Sequence, residues 1–249
     1  MEHLPESSEA SVEEHGLPSL PVRIVQVFVS PAKLFDALRQ RPAWMGAVLT
    51  LIGLSIALQF LTPVIVPEEI LRRAAEDRIA DFIPAGTDPA VLEQQVDAAV
   101  APGPVGIIAG AVIATPLILS LIAGLLLIAF NVIMGGEASF KQLLSAAAHA
   151  MYIYTAGGII SIGLMATGAE TLTLTPGLFL PEMEGFIGRF LNGINIFSVW
   201  TCGVLGVAVS RFYPGRSVAA GTTYLLVLYL ILVAALAGFA GLLAGLAGG

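Results

Sequence analysis

Apolar residues gather in five long blocks, at about 43–66, 105–134, 140–166, 190–210 and 218–246. A helix needs roughly 20 apolar residues to cross the hydrocarbon core of a bilayer, and each block reaches about that length. The expected fold is all-α: a polytopic membrane protein with five transmembrane helices in a bundle over residues 43–249. Pro116 falls inside the second block, where neighbouring helices can satisfy the carbonyl it frees, and Gly135-Gly136 ends that block. Between the first two blocks the pattern changes. Residues 67–104 carry Ile70, Ala74, Ile79 and Phe82, then Leu92, Val96 and Ala99, at helical spacing, divided by Pro84-Ala85-Gly86-Thr87-Asp88-Pro89. This spacing predicts two amphipathic helices in a loop outside the membrane.

The amino-terminal part reads differently. Residues 1–20 hold Glu2, Glu6, Glu9, Glu13 and Glu14 among Ser, Pro and Gly, and predict a disordered acidic tail. Residues 21–42 predict a cytoplasmic interfacial segment. Ser30-Pro31 is a helix start, with Ser as N-cap and Pro at the first helical position, and Leu34, Phe35 and Leu38 then share one face. Phe35, Arg39, Arg41 and Trp44 are the candidate contacts with the membrane interface. The first residues lack the basic start and apolar core of a signal peptide, so the first span is expected to serve as the targeting signal.

Composition agrees. The chain is 57% hydrophobic and 12% charged, against about 25% charged in a soluble domain, and its mean hydropathy is +0.89. A net charge of −7 excludes a nucleic-acid partner, which needs a basic face. One cysteine, Cys202, excludes a disulfide framework and a thiolate metal cluster. Orientation follows from the basic residues. Arg23, Lys33, Arg39, Arg41, Lys141, Arg211 and Arg216 fall on one side of the spans, and Arg72, Arg73, Arg78 and Arg189 on the other. The expectation is a cytoplasmic N-terminus and an extracytoplasmic C-terminus.

Within the spans, chemistry is sparse. No Asp, Glu, Lys or Arg lies in the middle of any block, and an ion-coupled transporter usually needs one there. His149 is the one titratable candidate in the third span, with Tyr152 on its face; the readings are a proton relay or metal ligand, for which no second His or carboxylate lies at i+3 or i+4, and a helix-packing hydrogen bond. Asn192, Asn195 and Ser198 are spaced to form one stripe at the start of the fourth span. With Asn131, Gln59 and His149 they line a polar cavity, or else they fix helix register through interhelical hydrogen bonds. Gly106 with Gly110, and Gly241 with Gly245, have the spacing that lets helices approach closely, and are expected to pack within the chain. In the outer loop, Glu68 with Arg72 and Glu69 with Arg73 have the favourable i to i+4 order of a salt-bridged helix face. No zinc-protease, nucleophile-elbow or phosphate-loop motif occurs. Ser145 lies one turn from His149 but has no orienting acid nearby. The chain is expected not to be an enzyme and to need no cofactor.

Three segments resemble a known family. They are Phe28-Val29-Ser30-Pro31-Ala32-Lys33-Leu34-Phe35 with Arg41-Pro42-Ala43-Trp44, then Gly136-Glu137-Ala138-Ser139-Phe140-Lys141-Gln142-Leu143-Leu144, then Phe190-Leu191-Asn192-Gly193-Ile194-Asn195-Ile196-Phe197-Ser198-Val199-Trp200. Together they resemble the bacterial branch of the Yip domain family, relatives of the Ypt/Rab-interacting integral membrane proteins, over about residues 22–240. The resemblance implies five spans, a cytoplasmic N-terminus and a bacterial inner-membrane location. Eukaryotic members are linked to vesicle trafficking, membrane shaping and prenylated small GTPases. Their tyrosine-glycine-proline motif has no counterpart here, so the GTPase-binding role does not carry over. The expected function is a non-enzymatic membrane scaffold or adaptor, partnered by the lipid bilayer and other membrane proteins. The alternative is a transporter or lipid-handling protein using the polar cavity.

Overall fold

The computed structural model describes residues 16–80, 87–169, 175, 176, 183 and 185–247. Among them the helices are α1 (Leu20–Val29), α2 (Pro31–Gln40), α3 (Met45–Ile65), α4 (Glu68–Ala80), α5 (Pro89–Val100), α6 (Pro104–Leu127), α7 (Phe140–Ala166), α8 (Gly185–Gly193), α9 (Ile196–Phe212) and α10 (Val218–Ala247). A π-helical segment, Ile128–Ile133, prolongs α6. No strand occurs among the described residues. The fold is the expected all-α membrane bundle. Helices α3, α6 with its π-helical end, α7 and α10 are each long and apolar enough to span a membrane. Helices α8 and α9 meet that criterion only together, as one path bent by 55°.

Helix α7 is the axis of the bundle. Of its span, 61% is buried, against 11% for α3 and 22% for α6 and for α10. The reason is composition. Ala146, Ala147, Ala148 and Ala150 give α7 a thin profile, so that α1, α2, α3, α6 and α9 all pack against it. Its start is set by a capping box, in which Ser139 accepts from the Gln142 amide N–H and the Gln142 side chain accepts from the Ser139 N–H. The outer helices turn apolar side chains outward, Leu49, Ile113, Leu121, Ile231 and Leu242 among them, as lipid-facing surfaces should.

Helices α1 and α2 correct two expectations. Residues 1–15 of the acidic tail lie outside the described residues, but Leu17 and Leu20 already pack on the core. Helix α2 begins at Ser30-Pro31 as expected. Its apolar face, however, does not meet the membrane interface: Leu34, Phe35 and Leu38 are fully buried, and the Phe35 ring stands edge-on to Phe212 of α9 at 6.2 Å. Periodicity shows that a face is apolar, not what covers it; here the ends of α7 and α9 do. Trp44 is half-buried against the same core, while Arg39 and Arg41 remain exposed.

Glycine governs the contact between α9 and α10, but not the glycines with the suggestive spacing. A Cβ on Gly206 would lie 2.0 Å from Thr222 Oγ1 and 2.7 Å from the Thr222 backbone nitrogen, and one on Gly221 would lie 3.0 Å from the Gly206 carbonyl oxygen. Among the described residues a Cβ on Gly106 or Gly110 meets nothing within 4 Å, contrary to the expected packing within the chain, and one on Gly241 meets Arg189 Nη1 of α8 at 3.1 Å.

Outside the spans, α4 and α5 form an antiparallel pair. Arg72 bonds Glu68 one turn back, at 3.3 Å, and Asp97 of α5. These two carboxylates raise the Arg72 pKa. Asp88 caps α5 by accepting from the Ala90 N–H at 2.9 Å.

Gly206→Ala is expected to separate α9 from α10 and cost roughly 1–3 kcal/mol, the usual penalty of overpacking. Gly203→Ala, where a Cβ meets nothing within 4 Å, should be neutral. Melting temperatures of the purified variants in detergent test this, and equal values would refute the crossing's dependence on Gly206.

Candidate functional site

The most unusual group in the bundle was not a sequence candidate. Arg23 of α1 is buried, and its guanidinium reaches between α3 and α7. Nη1 donates to the Ala43 carbonyl at 3.0 Å, just ahead of α3, and to His149 Nε2 at 3.2 Å. His149 is itself fully buried, with Nδ1 2.7 Å from the Ser145 carbonyl oxygen. A carbonyl only accepts, so Nδ1 carries the proton and Nε2 offers its lone pair to the arginine. The geometry therefore selects neutral imidazole and one tautomer.

No carboxylate pairs with Arg23 among the described residues; neutral acceptors hold it, with Tyr152 nearby. Burial lowers its pKa, yet a guanidinium keeps its charge in proteins. Among the described residues Arg23 Nε and Gln26 Oε1 are buried without a partner, so the arrangement carries a standing cost that apolar packing must offset. The sequence signal was present but weak: Arg23 and Gln26 are the only polar residues in Val22–Val29 and stand three apart, hence on one face of a helix. Ser145, the other half of the weak nucleophile pair, spends its hydroxyl on the Lys141 carbonyl at 2.7 Å.

The remaining candidates do not join His149 in one cavity. Asn131 sits in the π-helical segment at the α2 end of the bundle. Its Nδ2 donates to the Ala138 carbonyl at 2.7 Å, and its Oδ1 accepts from Tyr213 Oη at 2.6 Å. Burial pushes the Tyr213 phenol up to about 12, which keeps it a donor at physiological pH. The Tyr213 ring covers Gly136 so closely that a Cβ there would lie 2.3 Å from it. A cavity of about 440 Å³ opens beside this joint, bordered by Arg39, Gln142, Tyr213 and Arg216.

Asn195 lies near the opposite end of α9, roughly 25 Å away at the helical rise over its 17 residues. The expected stripe of Asn192, Asn195 and Ser198 fails because the fourth span is not one helix. The chain breaks between α8 and α9, and Asn195 caps α9 by accepting from the Phe197 N–H at 2.8 Å. Tyr229 of α10 closes the break: its hydroxyl accepts from the Asn195 N–H at 3.0 Å and donates to the Gly193 carbonyl at 2.9 Å. Asn192 is exposed and Ser198 half-buried. Cys202 is buried, its thiol 3.8 Å from the Leu225 carbonyl. No cluster of three or more His, Cys, Asp or Glu suited to a metal ion occurs among the described residues.

If Arg23 holds α1 through His149, the two residues are energetically coupled. His149→Leu should destabilise the protein by roughly 2–4 kcal/mol by leaving a buried cation short of an acceptor. Arg23→Leu with His149→Leu together should cost less than the sum of the single changes, by about 1–3 kcal/mol. Denaturation of the four proteins in one detergent measures this, and additive costs would contradict the coupling.

The comparisons with known proteins add the family. No curated protein and no solved structure matches the chain. The Yip1 domain matches over residues 25–242, an extent that runs from the second half of α1 through α2 and the spans to near the end of α10. With its apolar helices, that match makes the chain an integral membrane protein, and it belongs to the Yip1 domain family.

Proposed function

We propose that this protein is a non-enzymatic membrane scaffold or adaptor, which presents α1 and α2 on the cytoplasmic side of a bacterial inner membrane. The observation that supports this most is how the buried polar groups are used. His149 Nε2, both amide atoms of Asn131 and the Asn195 side-chain oxygen are engaged in bonds that join or cap helices, while His149 Nδ1 and the Ser145 hydroxyl are spent on carbonyls within α7. Residues so committed suit architecture better than a translocation path or a reaction.

The orientation rests on charge. Arg39, Gln142 and Arg211 are tied together at one end of the bundle, with Arg216 beside them. Arg39 donates to the Arg211 carbonyl at 3.2 Å, Gln142 to the Arg39 carbonyl at 2.7 Å and Arg216 to the Met134 carbonyl at 3.2 Å. Arg41 and Lys141 belong to the same end, so its basic rim fits the positive-inside rule. The far end carries the α4–α5 pair, which on this reading is extracytoplasmic.

Helix α1 supplies the contact surface. While Arg23 and Val27 face inward, Val22, Val25 and Val29 are 47%, 58% and 73% exposed, and their spacing puts them on one outward stripe. Rigid attachment through Arg23 keeps that stripe at a fixed height on the bundle, which is what an adaptor requires.

Photocrosslinking in intact membranes from residues placed at positions 25 and 29 is expected to give a few discrete protein adducts. They should disappear with Val22→Asp while the abundance of the protein is unchanged. Adducts to lipid alone from both positions would sink the adaptor reading.

A further inference from the structure

Beneath the α4–α5 pair lies a chamber of about 560 Å³, which Gln59 and Thr62 of α3, Ser161 of α7 and Asn195 border, with Leu71 and Ala99 in its roof. A second chamber of about 260 Å³ continues it down between α3, α6 and α7, bordered by Leu51, Leu58, Ile118 and Met151. Tyr154 and Gly158 of α7 border both, so the two form one cleft. Each is near the size range of small-molecule sites, roughly 300–1,000 Å³. Ile118 and Tyr154 are 49% and 51% exposed, so the lower chamber opens sideways between spans, where the neighbouring medium is hydrocarbon.

The lining is graded. The lower chamber is mostly apolar, and the hydroxyl of Thr155 is turned back to the Met151 carbonyl at 3.0 Å. The upper chamber retains unused hydrogen-bonding capacity. Asn195 has committed its oxygen to the Phe197 N–H, Gln59 has committed one N–H to Ser55, and the Tyr154 hydroxyl bonds nothing among the described residues. Among the described residues bordering either chamber there is no Asp, Glu, Lys, Arg or His. A charged head group placed there would be desolvated without a counter-charge, at a cost of several kcal/mol. A hydroxyl or amide head would instead find donors and acceptors.

We infer that this cleft is a binding site for a membrane lipid with an uncharged, hydroxyl-bearing head. The head sits under α4 and α5 beside Gln59, Tyr154 and Asn195, and a hydrocarbon chain runs down the cleft against Leu51, Ile118 and Met151. The inference is independent of the adaptor reading: it concerns the far end of the bundle and holds whether or not α1 binds a protein.

Two neighbouring glycines make the test clean. A Cβ at Gly157 would lie 2.4 Å from the Phe197 ring, so that residue is needed for packing, whereas a Cβ at Gly158 meets nothing within 4 Å. Gly158→Phe therefore fills the cleft without displacing the fold. Gly110→Phe, at a position on α6 equally free of neighbours, controls for an added ring in a span.

The experiment places the full chain in nanodiscs with diacylglycerol bearing a diazirine on one acyl chain. The expected result is adducts concentrated on the α6 and α7 peptides holding Ile118, Met151 and Tyr154, displaced by unlabelled diacylglycerol. Labelling should fall about tenfold in Gly158→Phe and stay unchanged in Gly110→Phe. Phosphatidylglycerol with the same photoreactive chain should label the cleft about tenfold less, a difference of ~1.4 kcal/mol. Adducts spread over all lipid-facing helices and equal in Gly158→Phe mean general bilayer contact only, and overturn the site. Equal cleft labelling by the anionic probe overturns the uncharged head. Should Gly158→Phe not yield folded protein, Tyr154→Phe decides: weaker displacement by diacylglycerol supports the site, and unchanged displacement overturns it.

Discussion

A guanidinium cannot shed its proton to escape a buried position, so Arg23 must be supplied with acceptors wherever the fold puts it. That requirement organises the α2 end of the molecule. The Ala43 carbonyl, left free at the start of α3, supplies one acceptor and His149 Nε2 the other. To accept, His149 must present a bare Nε2, which the Ser145 carbonyl secures by taking the Nδ1 proton. One side chain thus ties α1 to the head of α3 and to α7. Tyr152, one turn beyond His149, donates to the Ala47 carbonyl at 3.3 Å and extends the same seam.

Around this seam the bundle is assembled by small residues and closed by local polar joints. The alanines of α7 admit five neighbouring helices, and Gly206 and Gly221 admit α10 to α9. Each polar joint sits where the helical pattern fails: Asn131 and Tyr213 at the π-helical end of α6, and Asn195 and Tyr229 at the break between α8 and α9. Backbone groups released at these places need partners inside a membrane; Asn131, Asn195 and Tyr229 supply them, and Tyr213 holds Asn131 in place. The polar residues of the spans are thereby explained mostly by architecture.

Much of this fold was legible in the sequence. Block length marked the spans to within a few residues for α3, α6, α7 and α10, and the Ser30-Pro31 signal marked the start of α2. The fourth span misled because Phe190 to Ser210 is uncharged and mostly apolar, and Asn192 and Asn195 at helical spacing read as a stripe on one helix rather than as a break made by an asparagine cap. The site was less legible. His149 stood out by its chemistry, but its partner lies 126 residues away on a helix outside the spans, and pairing across that distance leaves no local pattern. Phe35 was recognised as part of an apolar face, yet whether that face meets lipid or protein depends on Phe212 at the other end of the chain. The Gly106–Gly110 pair misled for the same reason: spacing shows where two helices are able to approach, and only the partner decides whether they do.

The attachment of α1 depends above all on neutral His149 accepting from Arg23. Nitrogen-15 NMR of histidine- and arginine-labelled protein in lipid bilayers reports this directly, with His3 and His15 distinguished by substitution. The predicted result is a protonated Nδ1, an unprotonated Nε2 and close nitrogen–nitrogen proximity between Nε2 and an Arg23 Nη. A proton on Nε2, in either the other tautomer or the imidazolium, would contradict it, because α1 would then lack the acceptor that fastens it to the bundle.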